Sequence, residues 1–413
     1  MNSLNDAHLK KAVIFGAGKM ACGLLGEVLF RSGFKTIFVG RRKDAINAIN
    51  KKGGYTLYIV GSEIKRFSVG NCSAIAVQDE LNVIEAVASS DIVFTAVGID
   101  SIARISPLIA EGIWVRHKTL TDMPLNVIGN ENLPGIRAYL HNQIVGAASP
   151  EKKEILEHIS GFSGALTRRI MTGGIMEDGE LVFSSDENYD LIIDSRGLKG
   201  KLPYMEGATV TDEFHEMVIR KLFTINCAQA MAAYLGYRKG CHFIHDAAIH
   251  PEVAPLIKKA LTEAQAALKA EFPQHSASIE SDVAEALGRI ANVRLADTIY
   301  RVAKNPRRKL SSRERLVGAA LLAERHKLPN NNLCTGIAAA IAYDEPDDPH
   351  ALSMKYDIIS HGIDKILTED CGLLPYEPLA KRIKGEWNRF IDSRSFNRYG
   401  ITVLNSDRLL KNP

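Results

Sequence analysis

The 413-residue sequence predicts an α/β chain, with a doubly wound parallel sheet in the first half and a mostly α-helical second domain after it. Three observations carry this. Short apolar runs alternate with helix-spaced stretches through the first 130 residues. A glycine-rich turn separates the first run from the first helix. From about residue 200 helical periodicity dominates and strand signals almost vanish.

Taken in order, Ala12–Phe15 is a short apolar run of the kind buried in parallel sheets, and Gly16 breaks it. Met20, Leu24, Leu25, Val28 and Leu29 follow at helical spacing, and Gly33 supplies a stop. Thr36–Val39 reads as a second strand, with a helix from Asp44 to about Lys52. Residues 55–76 are rich in β-branched and aromatic side chains with glycines at turn spacing, which predicts an inserted hairpin or meander. Ile92–Val97 is a further buried strand, Ser101–Gly112 a helix and Leu125–Ile128 another strand. Helical periodicity then marks 212–236, 251–271, 276–290, 311–326, 331–342 and 376–391. Gly197, Gly200, Pro203 and Gly207 cluster between Asp194 and Asp212 and place the boundary there. This divides the chain into a dinucleotide-binding domain, 1–200, and a helical substrate domain, 201–413.

Composition narrows the function classes. Fifty-one Lys and Arg against 48 Asp and Glu leave a net charge of +3, too small for a nucleic-acid or anionic-membrane footprint. No apolar run is long enough to span a bilayer. The six cysteines are scattered without CxxC or metal-ligand spacing, as expected of free thiols in a reducing compartment. Residues 1–11 are polar and run straight into a strand, unlike a secretory leader. A cytoplasmic protein with a small-molecule substrate is expected.

The turn Gly16-Ala17-Gly18-Lys19-Met20-Ala21-Cys22-Gly23 has the strand–turn–helix context of a dinucleotide site. Gly16 permits a tight turn, Gly18 lets the backbone approach a pyrophosphate, and the helix N-terminus offers N–H donors to phosphate. At the end of the second strand, where NAD sites place an acid for the ribose, the chain has Gly40-Arg41-Arg42-Lys43. Arg41 and Arg42 suit a 2′-phosphate, so NADP is favoured over NAD. Ala96-Val97-Gly98 ends a strand with a small, flexible turn that lets a nicotinamide pass close to the backbone. The stretch 222–237 has no formal charge, with Lys221 at its edge and Thr224, Asn226 and Gln229 within. At a regular 100° per residue, Lys221, Gln229 and Asn226 fall at about 0°, 80° and 140°, one broad sector. A desolvated lysine there can act as a base; spacing alone leaves open a helix-end cation with core amides bonded to backbone.

Several segments in a fixed order carry a resemblance over nearly the whole chain. They are FGAGKMACG near the start, FTAVG at 94–98, PLNVIGNEN at 124–132, and LKGKLP with GATVTD at 198–212. RKLFTIN at 220–226, RRKLSSRERL at 307–316 and NLCTGIAAAI at 332–341 follow. The chain resembles the polyol-specific long-chain dehydrogenases. That resemblance implies a Rossmann domain followed by a helical domain, an active site between them, a nicotinamide coenzyme and no metal. It further implies interconversion of a sugar-alcohol phosphate and a ketose phosphate, of the mannitol 1-phosphate and fructose 6-phosphate kind. Residue by residue, it gives Lys221 the proton exchange and Asn226 and Asn132 the stabilisation of charge on oxygen. Three departures stand out. Gln229 occupies the position of a substrate-holding histidine, Arg168 that of an aspartate, and Ala21 and Cys22 those of a glycine and an arginine. Gln229 can still hold a hydroxyl, and Arg168 suits a carboxylate, which keeps a uronate reductase as an alternative. The lost histidine and aspartate leave a cofactor-binding homologue without turnover as another. The basic segment Arg307-Arg308-Lys309, with Arg313 and Arg315, is read as a source of cations for a substrate phosphate, with Arg308 and Lys309 foremost. A solvated loop with Arg315 in an ion pair is the competing reading.

Overall fold

The computed structural model describes residues 10–120, 123–131 and 133–392. Twelve strands are β1 (Lys11–Phe15), β2 (Lys35–Gly40), β3 (Tyr55–Val60), β4 (Ile64–Val69), β5 (Cys72–Ala76), β6 (Ile92–Thr95), β7 (Leu125–Gly129), β8 (Ser160–Leu166), β9 (Met171–Glu177), β10 (Glu180–Asp186), β11 (Leu191–Asp194) and β12 (Ala208–Thr211). The main sheet runs β12-β11-β8-β7-β6-β1-β2-β5. From β5 to β8 every pairing is parallel, with Val13 opposite both Ile37 and Val93. The chain leaves β1 toward β2 and β5, then returns to the other side of β1 at β6. That reversal is the topological switch point of a Rossmann sheet, where the carboxyl ends of neighbouring strands open a crevice. The apolar run of β1 is shielded completely: Ala12, Val13, Ile14 and Phe15 are each 0% exposed.

The chain divides into two compact units, Met1–Val218 and Ile219–Pro413. The first unit carries all twelve strands, and the last of them, β12, lies at an edge of the main sheet. The expected hairpin over 55–76 is only partly so. Residues of β3 and β4 do pair antiparallel, but β5 joins the main sheet beside β2. The hairpin instead completes a second sheet, β4-β3-β10-β9, with strands more than 100 residues further on. No local pattern could announce that pairing.

This second sheet supports the first helix. After the glycine-rich turn the helix begins as a π-turn, Ala21–Leu25, and continues as the α-helix Gly26–Arg31. In a π-turn the hydrogen-bond ladder slips by one residue, and carbonyls become available to outside donors. Two donors meet them. The Tyr55 hydroxyl donates to the Cys22 carbonyl at 2.6 Å, and Arg169 Nη1 donates to the Gly23 carbonyl at 2.8 Å. Arg169 also donates to Glu27 Oε2 at 2.6 Å, an ion pair in which both side chains are 1% exposed. Glu27 accepts a further bond from Arg31 Nε at 2.9 Å. Gly26 is required here because a Cβ would lie 2.1 Å from the Tyr55 hydroxyl.

The second unit is helical, with strand-like structure limited among the described residues to a bridge between Phe243 and Thr298. Its centre is Cys227–Arg238, buried on nearly every side, as the uncharged sequence predicts. Helices Ala254–Glu271 and Asn331–Ile341 pack on it. Gly336 allows the latter to close in, since a Cβ there would lie 2.0 Å from Met231 Sδ.

The Glu27–Arg169 pair yields a stability test. Glu27→Ala leaves a buried guanidinium without its carboxylate and should cost about 3–5 kcal/mol in a urea melt. Glu27→Leu combined with Arg169→Met should cost less than Glu27→Ala alone. A double variant as destabilised as the sum of its singles would contradict the pairing.

Candidate active site

The first unit gathers its candidate residues at the carboxyl ends of β1, β2, β6 and β7. Gly16 adopts φ +116°, and a Cβ there would lie 2.5 Å from the Ala96 carbonyl oxygen. Only glycine lets the turns after β1 and β6 approach so closely. The approach is fixed by Gly16 N–H to the Val39 carbonyl and Ala96 N–H to the Phe15 carbonyl, both 2.8 Å. Above it the surface is open: Gly18 and Gly98 are exposed, and a Cβ at either would meet nothing within 4 Å. Ala17, Lys19, Met20, Ala96 and Val97 are half-buried around this space.

Beneath the Ala96-Val97-Gly98 turn sits a carboxylate that motif reading passes over. Glu131, 7% exposed, accepts from Thr95 Oγ1 at 2.8 Å and from the Val97 N–H at 3.1 Å. Burial raises its pKa, and those hydrogen bonds only partly offset the rise. The signal available in the sequence is a charged residue two positions after the fully buried run of β7. Its neighbour Asn130 is 3% exposed, with Nδ2 lacking a partner among the described residues. Asn132, the third residue of this group, lies outside the described residues.

At the end of β2 the two arginines differ. Arg42 Nη1 donates to the Gly174 carbonyl at 3.0 Å and Nε to Asp44 Oδ1 at 3.2 Å. The bond to Asp44 raises the Arg42 pKa. Arg41 is exposed and, among the described residues, has no hydrogen-bond or ion-pair partner. Arg168, just after β8, is engaged by Asp190, which takes its backbone N–H at 3.1 Å and lies 3.8 Å from its Nε. A counter-charge therefore already stands beside the cation that replaces the expected aspartate.

In the second unit, Lys221 ends the helix Phe214–Lys221, and a π-turn, Leu222–Asn226, follows. The regular angular spacing is corrected here. Five-residue bonding stacks Asn226 one turn above Lys221, instead of some 140° around the helix. The turn is braced on both sides. Arg220, 5% exposed, pairs with Asp282 on Ser276–Ile290 through Nε at 2.8 Å, and the Thr224 hydroxyl donates to the Arg220 carbonyl at 2.6 Å. Lys221 is 8% and Asn226 5% exposed. The Asn226 Nδ2 is buried with no hydrogen-bond partner among the described residues. An amide N–H₂ kept dry and unpaired in a braced turn costs stability unless a ligand oxygen meets it. Gln229, half-buried on Cys227–Arg238, makes no side-chain hydrogen bond to the described residues.

The basic segment 307–315 is largely paired within the fold. Arg307 binds Asp357 and Asp370, and Arg308 Nη1 binds Glu314 at 2.5 Å. Lys309 is 6% exposed and its ammonium donates to the Lys304 carbonyl. Burial, with Arg315 and Arg308 close by, pulls the Lys309 pKa well below the usual lysine range. Among the described residues no group of three or more His, Cys, Asp or Glu side chains is placed to hold a metal ion, and no helix is long and apolar enough to cross a membrane.

The orphaned amide also predicts a stability result. Because Nδ2 of Asn226 has no partner, Asn226→Leu should leave the thermal midpoint unchanged or raised. A large drop would show that the amide is held by the protein.

Comparison with known proteins agrees with this architecture. Residues 10–207 match the mannitol dehydrogenase Rossmann domain, and residues 213–368 the mannitol dehydrogenase C-terminal domain. A mannitol-1-phosphate 5-dehydrogenase of Bacillus pumilus is 33% identical over 380 residues, covering 92% of this chain and 100% of that protein. The Bacillus subtilis protein of the same name is 31% identical over 369 residues, 89% of this chain and 97% of its own length. Among solved structures, Pseudomonas fluorescens mannitol 2-dehydrogenase, a ternary complex with NAD and D-mannitol, superposes with a TM-score of 0.75 at 14% identity, over 98% of this chain and 95% of that one. A substrate-free D-sorbitol dehydrogenase gives 0.71 at 12% identity, over 93% and 94%. At such identities the two structures speak for the fold alone. The resemblance drawn from the ordered segments holds, and the chain belongs to the mannitol dehydrogenase family, as an oxidoreductase acting on CH–OH groups.

Proposed function

We propose that the chain interconverts a sugar-alcohol phosphate and its ketose phosphate with a nicotinamide coenzyme, mannitol 1-phosphate and fructose 6-phosphate being the nearest pair. The relatives named mannitol-1-phosphate 5-dehydrogenase, matched over about nine-tenths of the chain, support the substrate class. The observation that carries the chemistry is the dry, unpartnered Asn226 amide stacked one π-turn from a buried lysine.

The residues around the β1–β6 crevice fit a dinucleotide. The open space over Gly18 and Gly98 is where a backbone-hugging pyrophosphate and nicotinamide would lie, with Gly16, Ala17, Lys19, Met20, Ala96 and Val97 around them. When bound, the coenzyme supplies the two-electron partner for the carbon. Lys221 Nζ takes the hydroxyl proton during oxidation and returns it during reduction. Asn226 Nδ2 donates to the same oxygen, and Asn132 is the second donor, so charge building there is met by fixed dipoles. Gln229 holds a neighbouring hydroxyl without titrating. Arg308 and Lys309 belong to the segment that meets the substrate's anionic end, and Arg168, balanced by Asp190, lines the polyol.

An NADPH and NADH oxidation assay against ketose phosphates and uronates tests this directly. Turnover with fructose 6-phosphate is expected; a blank across the panel would leave a binding protein, and turnover with uronates alone would reassign the substrate. Lys221→Met should lower kcat by about two orders of magnitude or more while fluorescence titration finds coenzyme binding unchanged. Near wild-type turnover would reduce Lys221 to a helix-end cation.

Coenzyme choice is proposed to favour NADP through Arg41, because Arg42 is already held by Asp44 and Gly174. Arg41→Ala should raise KM for NADPH about ten-fold, the scale of one charge-assisted contact, with little change for NADH. Arg42→Ala should shift the ratio less. An unchanged ratio in both variants would argue for NAD.

A further inference from the structure

We infer that Arg315 is the residue that grips the phosphate of the substrate, an assignment that rests on the polyol-phosphate reading above. Five cations crowd residues 307–315, and their surroundings separate them. Arg307 is neutralised by two carboxylates, Asp357 and Asp370, although its Nε has no partner among the described residues. Lys309 is turned to the Lys304 carbonyl in a setting that disfavours its charge. Arg313 stands in solvent. That leaves Arg308 and Arg315, which share one carboxylate: Glu314 Oε1 accepts from Arg308 Nη1 at 2.5 Å and Oε2 from Arg315 Nε at 2.9 Å.

Arg308 and Arg315 bring two guanidinium groups to Glu314, with the buried Asp348 carboxylate in electrostatic reach of the same cluster, and of the two cations Arg315 is the one that solvent reaches least. Arg315 is 6% exposed, against 39% for the Arg308 side chain. Its Nε is used, while its two terminal nitrogens have no partner among the described residues. A buried cation with half of its fork open is costly unless an anion completes it. The open edge offers two parallel N–H donors, the geometry that phosphate oxygens meet bidentately.

Position within the second unit fits the same role. Leu316, next in the chain, packs where Gly336 meets Met231 on Cys227–Arg238. Gly318 closes against the ring of Phe223, inside the π-turn that presents Asn226. Arg315 is also within electrostatic reach of Cys227, the residue after Asn226. The Arg315 guanidinium therefore stands against the helix that follows the proposed oxygen-binding amide. The coenzyme's own phosphates are assigned to the glycine turn of the first unit, so the anion left for Arg315 is the substrate's.

The test compares phosphorylated and unphosphorylated polyols on the full chain. In wild type and Arg315→Met, kcat/KM is measured for mannitol 1-phosphate and for mannitol, and inorganic phosphate is titrated as an inhibitor. Arg315→Met should cut the selectivity for the phosphorylated substrate about ten- to a hundred-fold, mainly through KM, and weaken inhibition by phosphate. Arg315→Lys keeps the charge and most of the stem but not the fork, and should fall between. It decides the matter if the methionine variant does not fold. Unchanged selectivity in the folded variants, or equal losses on both substrates, overturns the assignment. No turnover of mannitol 1-phosphate by the wild-type chain overturns the polyol-phosphate reading first, and this inference with it.

Discussion

A buried polar group has to be answered, and this constraint organises both units. Each carries a π-turn at the point where its chemistry is expected, and each π-turn breaks the self-sufficiency of a buried helix. At Ala21–Leu25 the answer comes from within the protein. Tyr55 and Arg169 meet the carbonyls of Cys22 and Gly23, and Glu27 balances the arginine. The glycine turn above is thereby set on a rigid base, and the inserted second sheet acquires a purpose, since it supplies Tyr55. At Leu222–Asn226 the backbone is braced in the same way, through Thr224 and the Arg220–Asp282 pair. There, however, one amide is left unanswered. Among the described residues the Asn226 amide is one of several buried polar atoms without a partner, and the one that stands one π-turn from Lys221.

Much of this was legible in the sequence, for definite reasons. A parallel sheet buried on both faces needs continuous apolar strands, and AVIF of β1 and IVFT of β6 state that directly. The close approach of two backbones needs glycine, and Gly16 declares it. The uncharged sixteen-residue stretch 222–237 has to be central, and the π-turn Leu222–Asn226 and helix Cys227–Arg238 that contain it are. The remainder depended on pairings that leave no local trace. β3 bonds to β10 across more than a hundred residues, and Glu27 meets Arg169 142 positions away. The π-turns are equally hidden, because nothing in the local sequence distinguishes Leu222–Asn226 from a regular helix at about 100° per residue. With that slip, Lys221 and Asn226 come to one face, a closer association than regular helical spacing allows.

Charged segments show most clearly why composition is a poor guide to a binding site. Read along the chain, Arg307, Arg308, Lys309, Arg313 and Arg315 are equivalent cations. In the fold one is neutralised by two carboxylates, one is buried against a carbonyl, one is solvated and two divide a single glutamate. Arg41 and Arg42 repeat the lesson on a smaller scale, for the second is held by Asp44 while the first has no partner among the described residues. In each case the residue left with an open donor, rather than the one in the most basic stretch, is the better candidate for an anion.

In the proposed reaction the unpartnered amide of Asn226, one π-turn from Lys221, receives the oxygen of the reacting carbon. A crystal structure of the ternary complex with coenzyme and mannitol 1-phosphate or fructose 6-phosphate measures this most directly. That oxygen is expected within hydrogen-bonding distance of both Asn226 Nδ2 and Lys221 Nζ. A bound substrate whose reacting oxygen lies elsewhere, with the Asn226 amide still unpartnered, would contradict it.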